Sequence, residues 1–206
     1  HLLSRRQRQM CIRDRYYRMK STYSWDYNKK ILTVYSCTGV HDFLREHLIS
    51  SIDFNYPVVI ADSVICCDEM FSGCDSYNQA TVIPNSVTSC RGMFNDCVAY
   101  NQPTIIPDSV TDCARMFAGC TSYDQPTIIP PLVVDCHGMF MFCESYNQPT
   151  VIPSSAVDCT CMFWDCEALD QTIIVPDSVV AHRDMFKNCK KMQHHLAEGK
   201  TTNFFN

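Results

Sequence analysis

Cysteine and histidine are the residues of this chain with the greatest chemical reach: 15 Cys and 7 His in 206 residues. Eleven of the cysteines fall into two rows with a constant step of 23. One row is Cys67, Cys90, Cys113, Cys136 and Cys159, with His182 in the sixth place. The other is Cys74, Cys97, Cys120, Cys143, Cys166 and Cys189. Structural zinc needs four converging ligands, usually from C-x2–4-C knuckles. Here the C-x6-C spacing recurs in every unit without a second arm, and the close pairs are limited to Cys66/Cys67, Cys159/Cys161 and His194/His195. A thiol nucleophile needs a base within hydrogen-bond reach. His137 adjoins Cys136, but successive side chains on a helix point about 100° apart. The sequence has no glycine-rich phosphate loop, no G-x-S-x-G and no paired carboxylates. No catalytic residue, metal site or cofactor is therefore assigned, and the chain reads as non-enzymatic. The cysteines read as reduced, buried thiols, a structural ladder in a narrow core.

What positions these rows is a 23-residue repeat, seen at residues 106–128 as IPDSVTDCARMFAGCTSYDQPTI. A Met-Phe pair marks its phase at Met70/Phe71, Met93/Phe94, Met116/Phe117, Met139/Phe140, Met162/Phe163 and Met185/Phe186. A fixed period of this size signals a solenoid, whose units cannot bury an apolar face alone. Each unit has two halves. T-[IV]-[IV]-P is β-branched, short and closed by proline, which predicts a strand of three or four residues. S-V-x-x-C-x-x-M-F-x-x-C spaces its apolar residues like one helix face, with Asp108 or Ser109 to cap it and Gly119 to end it. Thr, Ser and Cys are weak helix formers, so such a helix depends on packing. The alternative is a two-strand repeat with one helical turn. Helices packed side by side stand ~8–10 Å apart, beyond the ~7 Å Cα reach of a disulfide. The expected fold class is α/β: a solenoid of about seven 23-residue rungs, each with one short parallel strand and one short helix.

The flanks differ from the repeat. Residues 5–15, RRQRQMCIRDR, resemble a translated sequencing adapter, so residues 1–15 are read as a non-native, adapter-derived segment. They hold five Arg and one Asp, a net +4. The whole chain carries −5, so the remainder carries −9. An acidic body without a basic stripe argues against nucleic-acid binding. No run of 18 apolar residues exists, so no membrane span is expected. Residues 16–53 read as an N-terminal cap, with a strand or hairpin ending at Tyr35 and a degenerate first repeat at 40–53. Residues 54–189 form the repeat solenoid, and 190–206 a C-terminal cap or tail. The chain is expected to be a monomer.

The repeat resembles the BspA-like leucine-rich repeats with their I-P-x-S-V-T…F-x-x-C units. It is similar also to the MF-x-G-[AC]-x-x-F-N-Q repeat of bacterial and mycoplasma surface lipoproteins. The matching residues are Met70, Phe71, Gly73, Cys74, Tyr77, Asn78 and Gln79, with their equivalents every 23 positions across residues 54–189. The resemblance implies a right-handed α/β solenoid placed on a cell surface, part of a larger protein, with a role in adhesion or protein binding. Unpaired cysteines point instead to a reducing compartment, and localisation stays open. A structural spacer displaying another domain is the alternative function.

Two surfaces are candidates for binding a protein partner, whose identity the sequence does not give. Thr81, Thr104, Thr127 and Thr150 line up on one strand face, read here as the exposed side of the sheet. Met141, Phe142 and Trp164 occupy the variable dipeptide after Met-Phe in neighbouring units and would form an exposed apolar patch. Tyr77, Tyr100, Tyr123 and Tyr146 could make an aromatic sugar-binding ladder, but read as core. Asn78, Asn101 and Asn147 read as turn residues that bond the backbone between units.

Overall fold

The computed structural model describes residues 22–192. The adapter-like segment, residues 16–21 of the cap and residues 193–206 of the tail lie outside them. The cap opens with the expected hairpin. Strands β1 (Tyr23–Asp26) and β2 (Ile31–Val34) pair antiparallel, Tyr23 opposite Val34 and Asp26 opposite Ile31. Leu32 and Val34 alternate into the core, as the strand period of two requires. Helix α1 (Gly39–His47) buries Val40, Phe43 and Leu44. Leu48, which the repeat spacing places on the Met-Phe pair, instead ends α1 in the left-handed region and is 93 % exposed. The base of the coil is thus closed by a helix and a hairpin, not by a first rung. Strand β3 (Val58–Ile60) joins this sheet by parallel pairing with β2, Leu32 opposite Val58.

Above β3 the expected strand and helix in every rung are not what forms. The T-[IV]-[IV]-P segments keep the inward–outward alternation of a strand but lack a hydrogen-bonded ladder. Parallel pairing moves to the residue before the first cysteine row, as single bridges: Cys66–Ser89, Ser89–Asp112, Asp112–Asp135, Asp135–Asp158 and Asp158–Ala181. Each bridge joins positions one repeat apart, so the stacking is parallel and keeps strict register.

The S-V-x-x-C-x-x-M-F-x-x-C half is a chain of tight turns. Within one rung the N–H groups of Met93, Asn95 and Cys97 donate to carbonyls three residues back, at 3.0–3.1 Å. The alternate N–H groups, of Cys90, Gly92, Phe94 and Asp96, donate to Asp112, Ala114, Met116 and Ala118 of the next rung, at 2.7–3.0 Å. An α-helix would aim every N–H at residue i−4. Two left-handed residues per rung, four apart, prevent that: Gly92 (φ 57°) and Asp96 (φ 59°) here. The equivalents are Glu69/Gly73, Arg115/Gly119, Gly138/Phe142, Cys161/Asp165 and Asp184/Asn188, all with positive φ. A helix does not tolerate this conformation, whereas a coil does when each freed N–H finds a carbonyl one rung away. Ser109 does not cap a helix either; its hydroxyl donates to the Val87 carbonyl of the preceding rung at 2.6 Å.

The core is a column of rings. Phe71, Phe94, Phe117, Phe140, Phe163 and Phe186 stack at 5.3–5.7 Å with planes within 8°. Tyr77, Tyr100, Tyr123 and Tyr146 stack beside them at 6.0–6.1 Å. Adjacent columns touch, as at Phe94–Tyr100, 4.1 Å. These offset stacks add to the burial of each ring. The Met residues of the Met-Phe pairs are also fully buried, all on the inner side.

Candidate functional site

The T-[IV]-[IV]-P segments present the best candidate surface, and the residue that sets their orientation is the tyrosine four positions earlier. Tyr123 is fully buried, so its hydroxyl needs a partner inside. Thr127 Oγ1 lies 2.7 Å from Tyr123 Oη and 3.1 Å from the Gln125 carbonyl. A carbonyl only accepts, so Thr127 donates to Gln125 and Tyr123 donates to Thr127. The same pair recurs as Tyr77–Thr81, Tyr100–Thr104 and Tyr146–Thr150, at 2.6–2.8 Å. The four threonines are therefore 4–6 % exposed. This corrects the expectation that Thr81, Thr104, Thr127 and Thr150 line an exposed face: the strand alternation is as read, but its sides are reversed.

The next residue must then point out. Val82, Ile105, Ile128, Val151 and Ile174 are 78–85 % exposed, one per rung in a straight row, with Val59 half-exposed at its lower end. The second branched residue, Ile83, Ile106, Ile129 and Ile152, returns to the core. Exposed prolines flank the row at Pro103, Pro126 and Pro149. Between adjacent rungs the row leaves a groove lined by Thr127, Ile128, Ile129, Pro149, Val151 and Pro153. Sequence reasoning missed this row, although the tyrosine four residues before each threonine was the signal that would have found it.

The second candidate patch is partly assembled. Phe142 is 39 % exposed, and its ring sits 5.6 Å from that of Trp164. Lys187 Nζ lies 4.8 Å over the Trp164 ring. Met141 and Trp164 are only part-exposed. Phe142 has φ 62°, where its equivalents are mostly Gly, Asp or Asn.

All eleven row cysteines are buried, and none is in a disulfide. Cys97, Cys120, Cys143, Cys166 and Cys189 each donate a thiol hydrogen bond at 3.0–3.1 Å to the carbonyl of a Phe in the rung below. Burial pushes the Cys67, Cys74 and Cys189 thiols up to about 12, and holds Cys97, Cys143 and Cys166 well above their usual value. Cys136 is raised by a hydrogen bond with the Cys159 thiol and by burial. These are protonated, unreactive sulfurs. The distance argument against disulfides does not carry over, however. Rungs that stack at ring spacings under 6 Å bring equivalent cysteines of neighbouring rungs within disulfide reach. Among the described residues no three His, Cys, Asp or Glu side chains converge as a metal-ligand set. His137 and His182 are part-exposed.

The asparagines behave as turn residues. The backbone N–H of Asn101 donates to Asn78 Oδ1, that of Asp124 to Asn101 Oδ1, and that of Asn147 to Asp124 Oδ1, at 2.9–3.0 Å. Gln102 Nε2 donates to the same Asn78 oxygen, at 3.0 Å.

A family model described as "Mycoplasma protein of unknown function, DUF285" matches residues 60–128 and, overlapping, 107–199. The chain belongs to this family. DUF285 membership agrees with the resemblance carried by the Met-Phe motif. No curated protein matches the chain. Two solved structures are similar to it. One is a leucine-rich repeat protein from Bacteroides ovatus, 20 % identical, with TM-score 0.47 over 59 % of this chain and 38 % of that one. The chain thus spans well under half the length of that relative. The other is the T. pallidum leucine-rich repeat protein TpLRR, 16 % identical, with TM-score 0.55 over 89 % of this chain and 95 % of that one. The second likeness shows that this DUF285 chain has a leucine-rich-repeat-like solenoid fold. Among the described residues no helix is long and apolar enough to cross a membrane.

Proposed function

We propose that this chain is a non-enzymatic, protein-binding repeat module, wound as a right-handed coil, whose contact surface is the aliphatic row Val82, Ile105, Ile128, Val151 and Ile174. The observation that carries the reading is the exposure of that row. Five consecutive rungs each hold a β-branched apolar side chain 78–85 % in solvent, although the repeat has a core to receive it. Contiguous apolar surface of this kind marks partner sites. Affinity would be spread along the row, one knob per rung, since a solenoid meets its partner with several units at once. Phe142 and Trp164 supply a second, aromatic anchor of the type that dominates interfaces. An adhesion role within a larger surface protein is the setting the family resemblance supports.

The test is site-directed photo-crosslinking. A photoreactive residue at Ile105 or Ile128 should trap a protein, and one at Arg115, exposed on another side, should not. Trapping at Arg115 or beside Trp164 alone would move the site, and trapping nowhere would leave a spacer that displays another domain.

A further inference from the structure

We infer that the protein partner of the aliphatic row is a second copy of this chain, packed antiparallel across a two-fold axis. This rests on the row being the contact surface. Three observations lead to it.

The first is pitch. The rungs repeat at a spacing set by the ring stacks, 6.0–6.1 Å on the tyrosine side next to the row. The side chains of the row are therefore knobs at that pitch, separated by grooves such as the one between Ile128 and Val151. A surface with knobs and grooves at one fixed period is filled along its whole length only by knobs of the same period. Another copy of the solenoid supplies them by construction, and close packing then places carbons at their ~3.5–4.0 Å contact distance on both sides of each knob.

The second is charge. The chain is acidic, yet residues 126–134 (PTIIPPLVV) and 149–157 (PTVIPSSAV) contain no charged residue. Two copies can meet at these central rungs without burying a charge. Charge returns in the rungs on either side, at Asp108 and Asp177, and again at the base, at Asp62.

The third is symmetry. A two-fold interface uses the same patch on both partners. An axis parallel to the solenoid would set each knob against its own counterpart and leave the grooves empty. An axis across the solenoid lets the copies run antiparallel and shift by half a pitch, so Ile128 of one enters the partner's groove between Ile128 and Val151. Asp108 then approaches the partner's Asp177. The proposed dimer stands against the monomer expected from the sequence, and measuring the mass in solution decides between them.

The test is sedimentation equilibrium under reducing conditions, up to about 100 µM protein. The wild-type chain should dimerise, and more tightly at high salt, which screens the acidic bodies. Ile128→Asp with Val151→Asp should lose at least about a hundredfold in dimer affinity, with an unchanged melting temperature when melts are run at low concentration, where wild type and variant are both monomeric. Thr88→Asp with Thr111→Asp, exposed on a different row, should change neither. For the orientation, Ile128→Cys should crosslink to itself through a short bis-maleimide and Val82→Cys should not; a parallel dimer would link both. A monomeric wild type, or a dimer that survives the Ile128/Val151 change, overturns the inference. If the chain is monomeric while photo-crosslinking at Ile105 traps a different protein, only the identity of the partner is wrong. If it is monomeric and nothing is trapped, the binding surface itself is wrong.

Discussion

Replacing Thr127 by valine tests the inward threonine most sharply, because valine keeps the shape and removes only the hydroxyl. Thr127 is 5 % exposed and Tyr123 fully buried, so no water replaces the lost bond. Tyr123 Oη loses its nearest acceptor and is left with the Thr104 hydroxyl of the rung below, and the Gln125 carbonyl loses a donor. An orphaned buried hydroxyl costs about 1–3 kcal/mol. With the part-exposed Gln125 contributing less, Thr127→Val should cost about 2 kcal/mol, or roughly 4–8 °C in Tm for a chain of this size. Tyr123→Phe removes the donor but leaves Thr127 bonded to Gln125, and should cost about 0.5–1.5 kcal/mol. The double variant has no orphan at Tyr123, so it should be more stable than the sum of the two by about 1 kcal/mol or more. Urea unfolding of the four proteins, followed by circular dichroism, measures the coupling. A coupling near zero, or a neutral Thr127→Val, would mean that the hydroxyl pair does not exist and the segment faces the other way.

Alkaline pH gives a second test. Cys67, Cys74 and Cys189 are raised to about 12 by burial, against ~8.5 for an unfolded thiol. Their contribution is full below ~8.5 and is lost as pH rises toward 12, because only the unfolded chain releases these protons in that window. Each thiol contributes a slope of about −1.4 kcal/mol per pH unit, so these three alone give about −4. Urea midpoints between pH 8 and 10.5 under reductant should fall steeply; a flat profile would place the sulfurs in water. Backbone geometry gives a third. Arg115 is exposed at φ 56°, so Arg115→Gly should raise stability by about 1 kcal/mol. Gly119→Ala should lower it by about 1–2 kcal/mol, since φ is 75° and the added Cβ would clash with Asp96 Oδ1. Thermal melts of the two variants should move in opposite directions.

The period, the phase, the buried cysteine, Met-Phe and tyrosine rows and the asparagine ladder were legible in the sequence, because each depends only on like residues recurring 23 apart. The helix was misread because S-V-x-x-C-x-x-M-F-x-x-C has the apolar spacing of a helix face. A coil of turns buries the same residues, and what separates the two is backbone conformation. The clue lay in the polar positions: Gly92 and Asp96, Gly119, Gly138, Asp165, Asp184 and Asn188 recur at two sites four residues apart, both left-handed. Strand alternation puts the threonines on one face but does not say which face is buried. The tyrosine hydroxyl one turn of chain earlier decides it, and the isoleucine beside the threonine is exposed as a consequence. The cysteine rows lie closer between rungs than helix packing allows, for the same reason that the helices are absent.

T-[IV]-[IV]-P turns its threonine inward and its first branched residue outward, and the exposed row exists only because it does. Comparing the unfolding free energies of two paired variants tests it directly. Ile105→Asp with Ile128→Asp alters side chains 85 % in solvent and, compared at low concentration where the chain is monomeric, should leave stability within about 1 kcal/mol of wild type, the range for two surface substitutions. Thr104→Asp with Thr127→Asp places two carboxylates beside buried tyrosine hydroxyls and should destabilise by more than about 4 kcal/mol or prevent folding. The reverse order, with the threonine pair tolerated and the isoleucine pair unfolded, would contradict the account.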